Sequence, residues 1–194
     1  MKAFNIYLIG VGGQGIGLLS EILLRAADHA GYQVKGVDTH GLAQRGGIVV
    51  SHLKFGEKVY SPLIPENEAD MVVGLERHEA LRGMNGYLKD SGTLIYYNTV
   101  WQPVEVRLNN VEEVSEEIIT RQCLARGIKE IKVFKADLDD ARMQNIVVLA
   151  TIHKHNLIPG IESDHYRLAM ADLMEGAMLE KNLNLFDAER KSLP

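Results

Sequence analysis

Two glycine loops hold the residues whose types and spacing suit chemistry. The first is Gly10-Val11-Gly12-Gly13-Gln14-Gly15, set between an apolar run, Phe4 to Ile9, and a helical pattern. It fits G-x-G-x-x-G with a further glycine in the fourth position. Between a strand and a helix, such a loop cradles an anion. Glycines let the backbone approach a phosphate, and unpaired N–H groups at the helix start point at it. The same spacing also suits a tight turn with no ligand. The second loop is Thr39-His40-Gly41-Leu42-Ala43-Gln44-Arg45-Gly46-Gly47. Its glycines expose further N–H groups, and Arg45 offers a planar fork for phosphate or carboxylate. Two such loops on neighbouring strand ends would wall one polar cleft. Its candidate binding residues are Gly10, Gly12, Gly13, Gln14, Gly15, His40, Gln44, Arg45, Gly46 and Gly47. The competing reading pairs Arg45 with a local acid such as Asp38.

Other reactive side chains are sparse. Cys123 is the only cysteine, so neither an internal disulfide nor an all-cysteine zinc or iron–sulfur site can be built from this chain. In its helix-like segment it reads as a small buried hydrophobe rather than a nucleophile. His153-Lys154-His155 has the look of a metal pair. On a helix, however, i and i+2 point roughly 200° apart, and a solvated helix end is the better reading. His40 and His52 flank the second loop without an obvious third ligand, so no metal or catalytic residue is assigned. Tyr96, Tyr97 and Trp101 gather near one strand end and read as packing.

The elements that must position the loops follow from hydrophobic periodicity. Phe4 to Ile9 is a buried first strand. Ile16 to Ala30 is its helix, with Ile16, Leu19, Leu23 and Ala27 at helical spacing and Gly31 as C-cap. Val34 to Asp38 is a second strand, giving a βαβ opening with an acid at the strand end. A dinucleotide fold uses such an acid to hold a ribose hydroxyl. Yet a helix should follow there, and the chain enters a glycine loop and a β-branched strand, Ile48 to Phe55. Gly56-Glu57-Lys58 is a turn, from which Val59-Tyr60-Ser61 returns as a hairpin. Pro62 and Pro65 then stop regular structure.

Further along, Asp70 to Leu75 is a strand and Glu76 to about Leu88 a helix. Asp90-Ser91-Gly92 is a turn before a strand at Thr93 to Tyr97. Asn98 to Pro103 is a loop, and Val104 to Leu108 a short edge strand. A charged helix spans Glu112 to Ala125, with Val114, Ile118 and Ala125 inward and Gly127 as cap. Ile131 to Phe134 is the last strand. Everything after Ala136 is helical: Gln144 to His155, apolar nearly all round, then Asp164 to Met174 and Gly176 to Ala188. In the last, Leu179, Leu183 and Phe186 form a core stripe. The expected fold is a three-layer α/β/α single domain over residues 1–194. It has a mostly parallel, mixed sheet, a Rossmann-like start and a helical C-terminal third.

Composition bounds the function. Of 194 residues, 46% are apolar and 24% charged, with a net charge of −5 and no Lys/Arg block, which gives no push toward nucleic acid. No apolar run reaches the ~18 residues of a membrane span, and Met1-Lys2-Ala3-Phe4 enters a strand directly, so the sequence reads as cytoplasmic.

The two loops together resemble a known family. Gly10 to Gly15 is joined by His40-Gly41-Leu42-Ala43-Gln44-Arg45-Gly46-Gly47 and Val50-Ser51-His52. Tyr60-Ser61-Pro62-Leu63-Ile64-Pro65, Ala69-Asp70, Gln144-Asn145 and Glu180-Lys181-Asn182-Leu183 follow in order. Over most of its length the chain resembles the gamma-type subunit of 2-oxoacid:ferredoxin oxidoreductases, in the form typical of the small (beta) subunit of indolepyruvate:ferredoxin oxidoreductase. The resemblance implies a multi-subunit enzyme that decarboxylates a 2-oxoacid on thiamine diphosphate. It sends electrons through iron–sulfur clusters to ferredoxin and passes the acyl group to coenzyme A. It further implies that the thiamine site and the clusters sit on a partner subunit. This chain would be non-catalytic, with its glycine loops at the subunit interface or on the phosphate of coenzyme A. The alternatives are a stand-alone NAD-dependent dehydrogenase built on Gly10 to Gly15 and Asp38, and a nucleotide-sensing module without chemistry.

Overall fold

The computed structural model describes residues 3–40, 47–100 and 113–192. The elements run β1 (Phe4–Val11), α1 (Ile16–His29), β2 (Gln33–His40), β3 (Ile48–Gly56), β4 (Ala69–Gly74), α2 (Arg77–Tyr87), β5 (Leu88–Tyr97), α3 (Glu116–Ala125) and β6 (Lys129–Val133). A 3-10 turn at Ala141–Met143 then leads into α4 (Gln144–Lys154), α5 (Ser163–Leu173) and α6 (Gly176–Lys191).

The strands form one mixed sheet in the order β2-β3-β1-β4-β5-β6. β1, β4, β5 and β6 are parallel, and β3 runs antiparallel to both β1 and β2. Helices cover both faces, so successive side chains of a central strand enter opposite cores. Ile6 and Leu8 of β1 join α1, α4, α5 and α6 on the first face. Tyr7 and Ile9 join Ala80 and Met84 of α2 and Ile119 and Cys123 of α3 on the second. This double burial is why β1 reads as an unbroken apolar run from Ile6 to Ile9. The expected stripe on α6 is core: Phe186 is fully buried, with Leu179 and Leu183 packed against the same cluster.

The sheet corrects the βαβ expectation. β2 has the same direction as β1 but does not lie beside it, because β3 is inserted between them. The physical reason is the length and composition of β3. Its β-branched run pairs with β1 from Phe4↔Phe55 to Val11↔Ile48, and with β2 from Gln33↔Gly56 to His40↔Val49.

Three smaller expectations also change. Val59-Tyr60-Ser61 forms no strand; it belongs to a segment without regular structure between β3 and β4. Asp90-Ser91-Gly92 is absorbed into β5 as an irregularity, where the register jumps from Ala69↔Leu88 to Met71↔Thr93 and Ser91 takes a φ of +59°. The inner face of α3 is Ile119 and Cys123, with Val114 packed beside that cluster, while Ala125 is exposed. Trp101, Pro103, the strand expected at Val104 to Leu108 and Glu112 lie outside the described residues.

Candidate functional site

A doubly covered parallel sheet opens a crevice where consecutive helices leave for opposite faces. Here that point is between β1 and β4: α1 leaves β1 for the first face, and α2 leaves β4 for the second. The glycine loop forms one wall and Leu75-Glu76-Arg77 the other. Leu75 N–H donates to Ile9 O at 3.0 Å, tying the two strand ends together.

The first loop is shaped from within. Gln14 N–H closes a turn on Val11 O at 3.1 Å. The Gln14 side chain folds back under the loop, accepting from Val11 N–H at 2.8 Å and donating to Leu75 O at 3.2 Å. At 2% exposure its amide is a structural part of the loop and offers no free end to a ligand. Gly10 is required by space, since a Cβ there would stand 2.7 Å from Ile16 Cδ1 and 2.8 Å from Gln14 Oε1. Gly15 is required twice over: its φ is +81°, and a Cβ would meet Asn145 Nδ2 at 2.6 Å. Gly13, at φ +103°, has nothing within 4 Å of such a Cβ and faces outward.

α4 supplies two further amides. Gln144 Nε2 donates to Leu75 O at 3.3 Å, and Asn145 Nδ2 donates to Gly15 O at 3.2 Å. Both residues are under 5% exposed. Gln14, Gln144 and Asn145 thus clamp the loop across the crevice. Glu76 does comparable work on the other wall. Its carboxylate accepts from His78 N–H at 3.0 Å and also from Glu79 N–H, capping α2.

The two helix starts that face the crevice are therefore unlike. α2 is closed by its own carboxylate. α1 begins at Gly15 with no side-chain cap and no acid in its first turn. The first N–H groups of any helix lack intrahelical acceptors, and the helix dipole places partial positive charge there. The start of α1 is thus the wall suited to an anion.

Gly47, the last residue of the second loop, adjoins the first. Gly12 N–H donates to Gly47 O at 2.9 Å, so one candidate donor is already engaged. His40 closes β2, opposite Val49. The His40 side chain and Gln44, Arg45 and Gly46 lie outside the described residues. Asp38, the acid considered for a ribose, accepts from Ser20 Oγ at 3.1 Å and stands on a strand separated from β1 by β3. That displacement removes the geometric basis of the dehydrogenase reading.

His52 packs edge-on against Tyr7 and Tyr87, and its Nδ1 accepts from Ile64 N–H at 3.1 Å. Burial, then the Lys54 ammonium, holds its imidazole below the usual histidine range. His153 lies among the rings of Tyr166 and Phe186. Among the described residues no group of three or more His, Cys, Asp or Glu gathers to hold a metal ion. Cys123 is 1% exposed, and burial pushes its thiol up to about 11. Tyr96 is fully buried with its hydroxyl on Glu130 at 3.0 Å, and Tyr97 donates to Lys135 O at 2.8 Å, so both serve packing.

Sequence reasoning placed the loop but missed the role of Glu76, because glutamate is not among the favoured N-cap residues. It singled out Gln144-Asn145 by resemblance alone. No local pattern shows that two amides on a distant helix reach back to Leu75 and Gly15.

Comparison with known proteins agrees with this architecture. The family described as pyruvate ferredoxin/flavodoxin oxidoreductase matches residues 5–191. A relative from Methanothermobacter thermautotrophicus, named indolepyruvate oxidoreductase subunit IorB, is 40% identical over 189 residues, covering 94% of each chain. The structure of a keto/oxoacid ferredoxin oxidoreductase gamma subunit from Geobacter sulfurreducens has the same fold, with a TM-score of 0.66 at 18% identity over 97% of this chain and 96% of that one. A 2-oxoglutarate:ferredoxin oxidoreductase from Magnetococcus marinus, solved with 2-oxoglutarate, coenzyme A and succinyl-CoA bound, shares the fold with a TM-score of 0.70 at 17% identity, over 98% of this chain but 31% of that one. The chain belongs to the pyruvate ferredoxin/flavodoxin oxidoreductase family and corresponds in length and fold to a gamma-type subunit.

Proposed function

We infer that this chain, the gamma-type subunit of a 2-oxoacid:ferredoxin oxidoreductase, offers the open start of α1 to a phosphate of coenzyme A and leaves the redox chemistry to a partner. The observation that carries this reading is the contrast at the crevice: α2 is sealed by Glu76, while α1 has neither cap nor acid. The outward-facing Gly13 and the first-turn N–H groups fit a phosphate, which takes charge-assisted bonds from such donors. Arg45 of the adjoining loop supplies the fork. The bound coenzyme A in the Magnetococcus marinus enzyme supports this choice of ligand.

The partner subunit binds thiamine diphosphate, which supplies the carbanion chemistry of decarboxylation, and carries the iron–sulfur clusters that reduce ferredoxin. One buried cysteine falls short of the thiolates a cluster needs, which supports placing the clusters there. The relatives named for indolepyruvate support an aryl 2-oxoacid as substrate. Residues 1–194 act as one unit in the cytoplasm; no helix among the described residues is long and apolar enough to cross a membrane.

Arg45→Ala in the assembled complex tests the reading. A lost charge-assisted hydrogen bond of about 1.5–3 kcal/mol raises the KM for coenzyme A roughly ten- to a hundredfold. Arg45→Lys recovers part of it, since lysine lacks the fork. A variant with lowered melting temperature but an unchanged KM for coenzyme A would instead make Arg45 a structural ion-pair residue.

A further inference from the structure

Between β3 and β4 the chain runs over the second face as a strap, residues 57–68, without regular structure. Its sequence limits how it can be held. Pro62 and Pro65 have no N–H to donate. Leu63 N–H is used inside the strap, on Ser61 Oγ at 3.3 Å. Both ends are tied down: Val59 N–H donates to Gln33 Oε1 at 3.3 Å, Asn67 N–H to Gly86 O at 3.2 Å, and Asn5 Nδ2 to Glu68 O at 2.8 Å. Between these ties, among the described residues, one hydrogen bond joins the strap to the sheet, from Ile64 N–H to His52 Nδ1 at 3.1 Å. The Ile64 side chain is buried in the second core.

That bond fixes a protonation state. A backbone N–H can only donate, so His52 Nδ1 keeps its lone pair and the ring is neutral, with its proton on Nε2. An imidazolium has an N–H at both positions. Protonated in place, His52 would turn one N–H toward another and leave buried donors without an acceptor.

The neighbours give the extra charge no relief. Tyr7 of β1 and Tyr87 of α2 meet the ring at near right angles, with centroids 5.0 and 5.4 Å away. Glu79 of α2 is already paired with Arg82 at 3.1 Å. On β2, Val37 stands opposite His52, and Lys35 stands opposite Lys54. The Lys54 ammonium opposes a second positive charge, and burial opposes it more strongly.

We propose that His52 and Ile64 form a pH-sensitive latch: neutral His52 holds the middle of the strap down, and protonated His52 is accommodated only when Ile64 lifts away. Tyr60 and Leu63 are exposed in the closed state, so the stretch from Tyr60 to Ile64 lifts without further loss of cover except at Ile64 itself. The sign follows from linkage. Once the strap lifts, His52 titrates near the ordinary value of about 6.5. The lifted fraction is therefore constant above that pH and rises about tenfold per unit below it, roughly thirtyfold between pH 7.5 and 5.0.

The test is amide hydrogen exchange by NMR on the full chain, corrected for the intrinsic pH dependence of exchange. Ile64 should be at least tenfold less protected than Leu8 and Val72 of the core at every pH. Its protection should fall roughly thirtyfold from pH 7.5 to 5.0. In His52→Asn, whose Oδ1 replaces Nδ1 as acceptor and does not titrate, Ile64 protection should stay constant within about twofold while the core amides still respond to the other histidines. Ile64 protection equal to that of the core would overturn the proposal, because the strap would then open only with global unfolding. So would the same fall in His52→Asn as in wild type. Should that variant not fold, the 15N shifts of His52 in wild type decide: an unprotonated Nδ1 at pH 7.5 supports the latch, and a protonated Nδ1 overturns it.

Discussion

Gly12 N–H donates to Gly47 O across 2.9 Å, joining the end of the second glycine loop to the turn of the first. The bond continues the β1–β3 ladder one step past Val11↔Ile48. Gly47 is therefore tied to the first loop at the mouth of the crevice, and that first loop is anchored below by Gln14, Gln144 and Asn145. A ligand meets a first loop, Gly10 to Gly15, that is already formed, so little ordering of that loop is left to oppose binding.

The loop glycines are required for different reasons, and alanine substitutions separate them. Gly13→Ala meets no atom within 4 Å and pays only for its φ of +103°. Its cost in urea melts should be about 1–2 kcal/mol. Gly15→Ala carries a similar backbone cost and must also displace Asn145, adding about 1–3 kcal/mol. Equal losses for the two variants would mean that the Asn145 contact does not constrain the loop.

Leu75 O accepts from both Gln14 and Gln144, so their removal should be coupled. Gln144→Met leaves that carbonyl one donor and should cost about 0.5–1.5 kcal/mol. Gln14→Met also strands the buried Val11 N–H, and about 1–3 kcal/mol is expected. The double variant should lose more than the two singles together, by roughly 0.5 kcal/mol or more. Strict additivity in a double-mutant cycle would show that the carbonyl is not shared in solution.

Acid should unfold the chain partly through its histidines. Burial holds His52, His78, His153 and His155 below the usual range. Below about pH 6.5 the unfolded chain takes up protons that the folded chain refuses. Stability is thus full above that pH and declines as pH falls through the lower folded values, with a limiting slope of about 1.4 kcal/mol per pH unit for each group. His52→Asn, which keeps an acceptor for Ile64 N–H, should shrink the loss between pH 6.5 and 5. Glu79, raised by burial, has the opposite sign but is common to both proteins. Identical pH profiles for wild type and His52→Asn would remove His52 from this account.

Much of the fold was legible because burial on both faces writes itself into composition. β1 is apolar from Ile6 onward and β4 from Met71 onward, and α1 shows its face at Ile16, Leu19 and Leu23 before Gly31 stops it. Cys123 reads correctly as a buried hydrophobe. What was not legible depends on partners distant in sequence. Nothing in Ile48 to Phe55 says that it slides between β1 and β2, since pairing with either strand suits its pattern. Asp90-Ser91-Gly92 has turn chemistry, yet β4 draws it into β5 as a bulge. The α3 face was misjudged because a mostly polar helix at the margin of the second core offers few apolar positions to set its phase. The site was half legible: spacing gives the glycine loop, but its clamp comes from Leu75 and Gln144, more than sixty residues away.

The most direct measurement is anaerobic reduction of a viologen dye, dependent on a 2-oxoacid and coenzyme A. It would be made on this chain alone with thiamine diphosphate supplied, and on the complex purified after co-expression with its partner. The predicted result is reduction by the complex and none by the isolated, folded chain. Substrate-dependent reduction by the chain alone, or a complex that turns over equally well without it, would contradict the account.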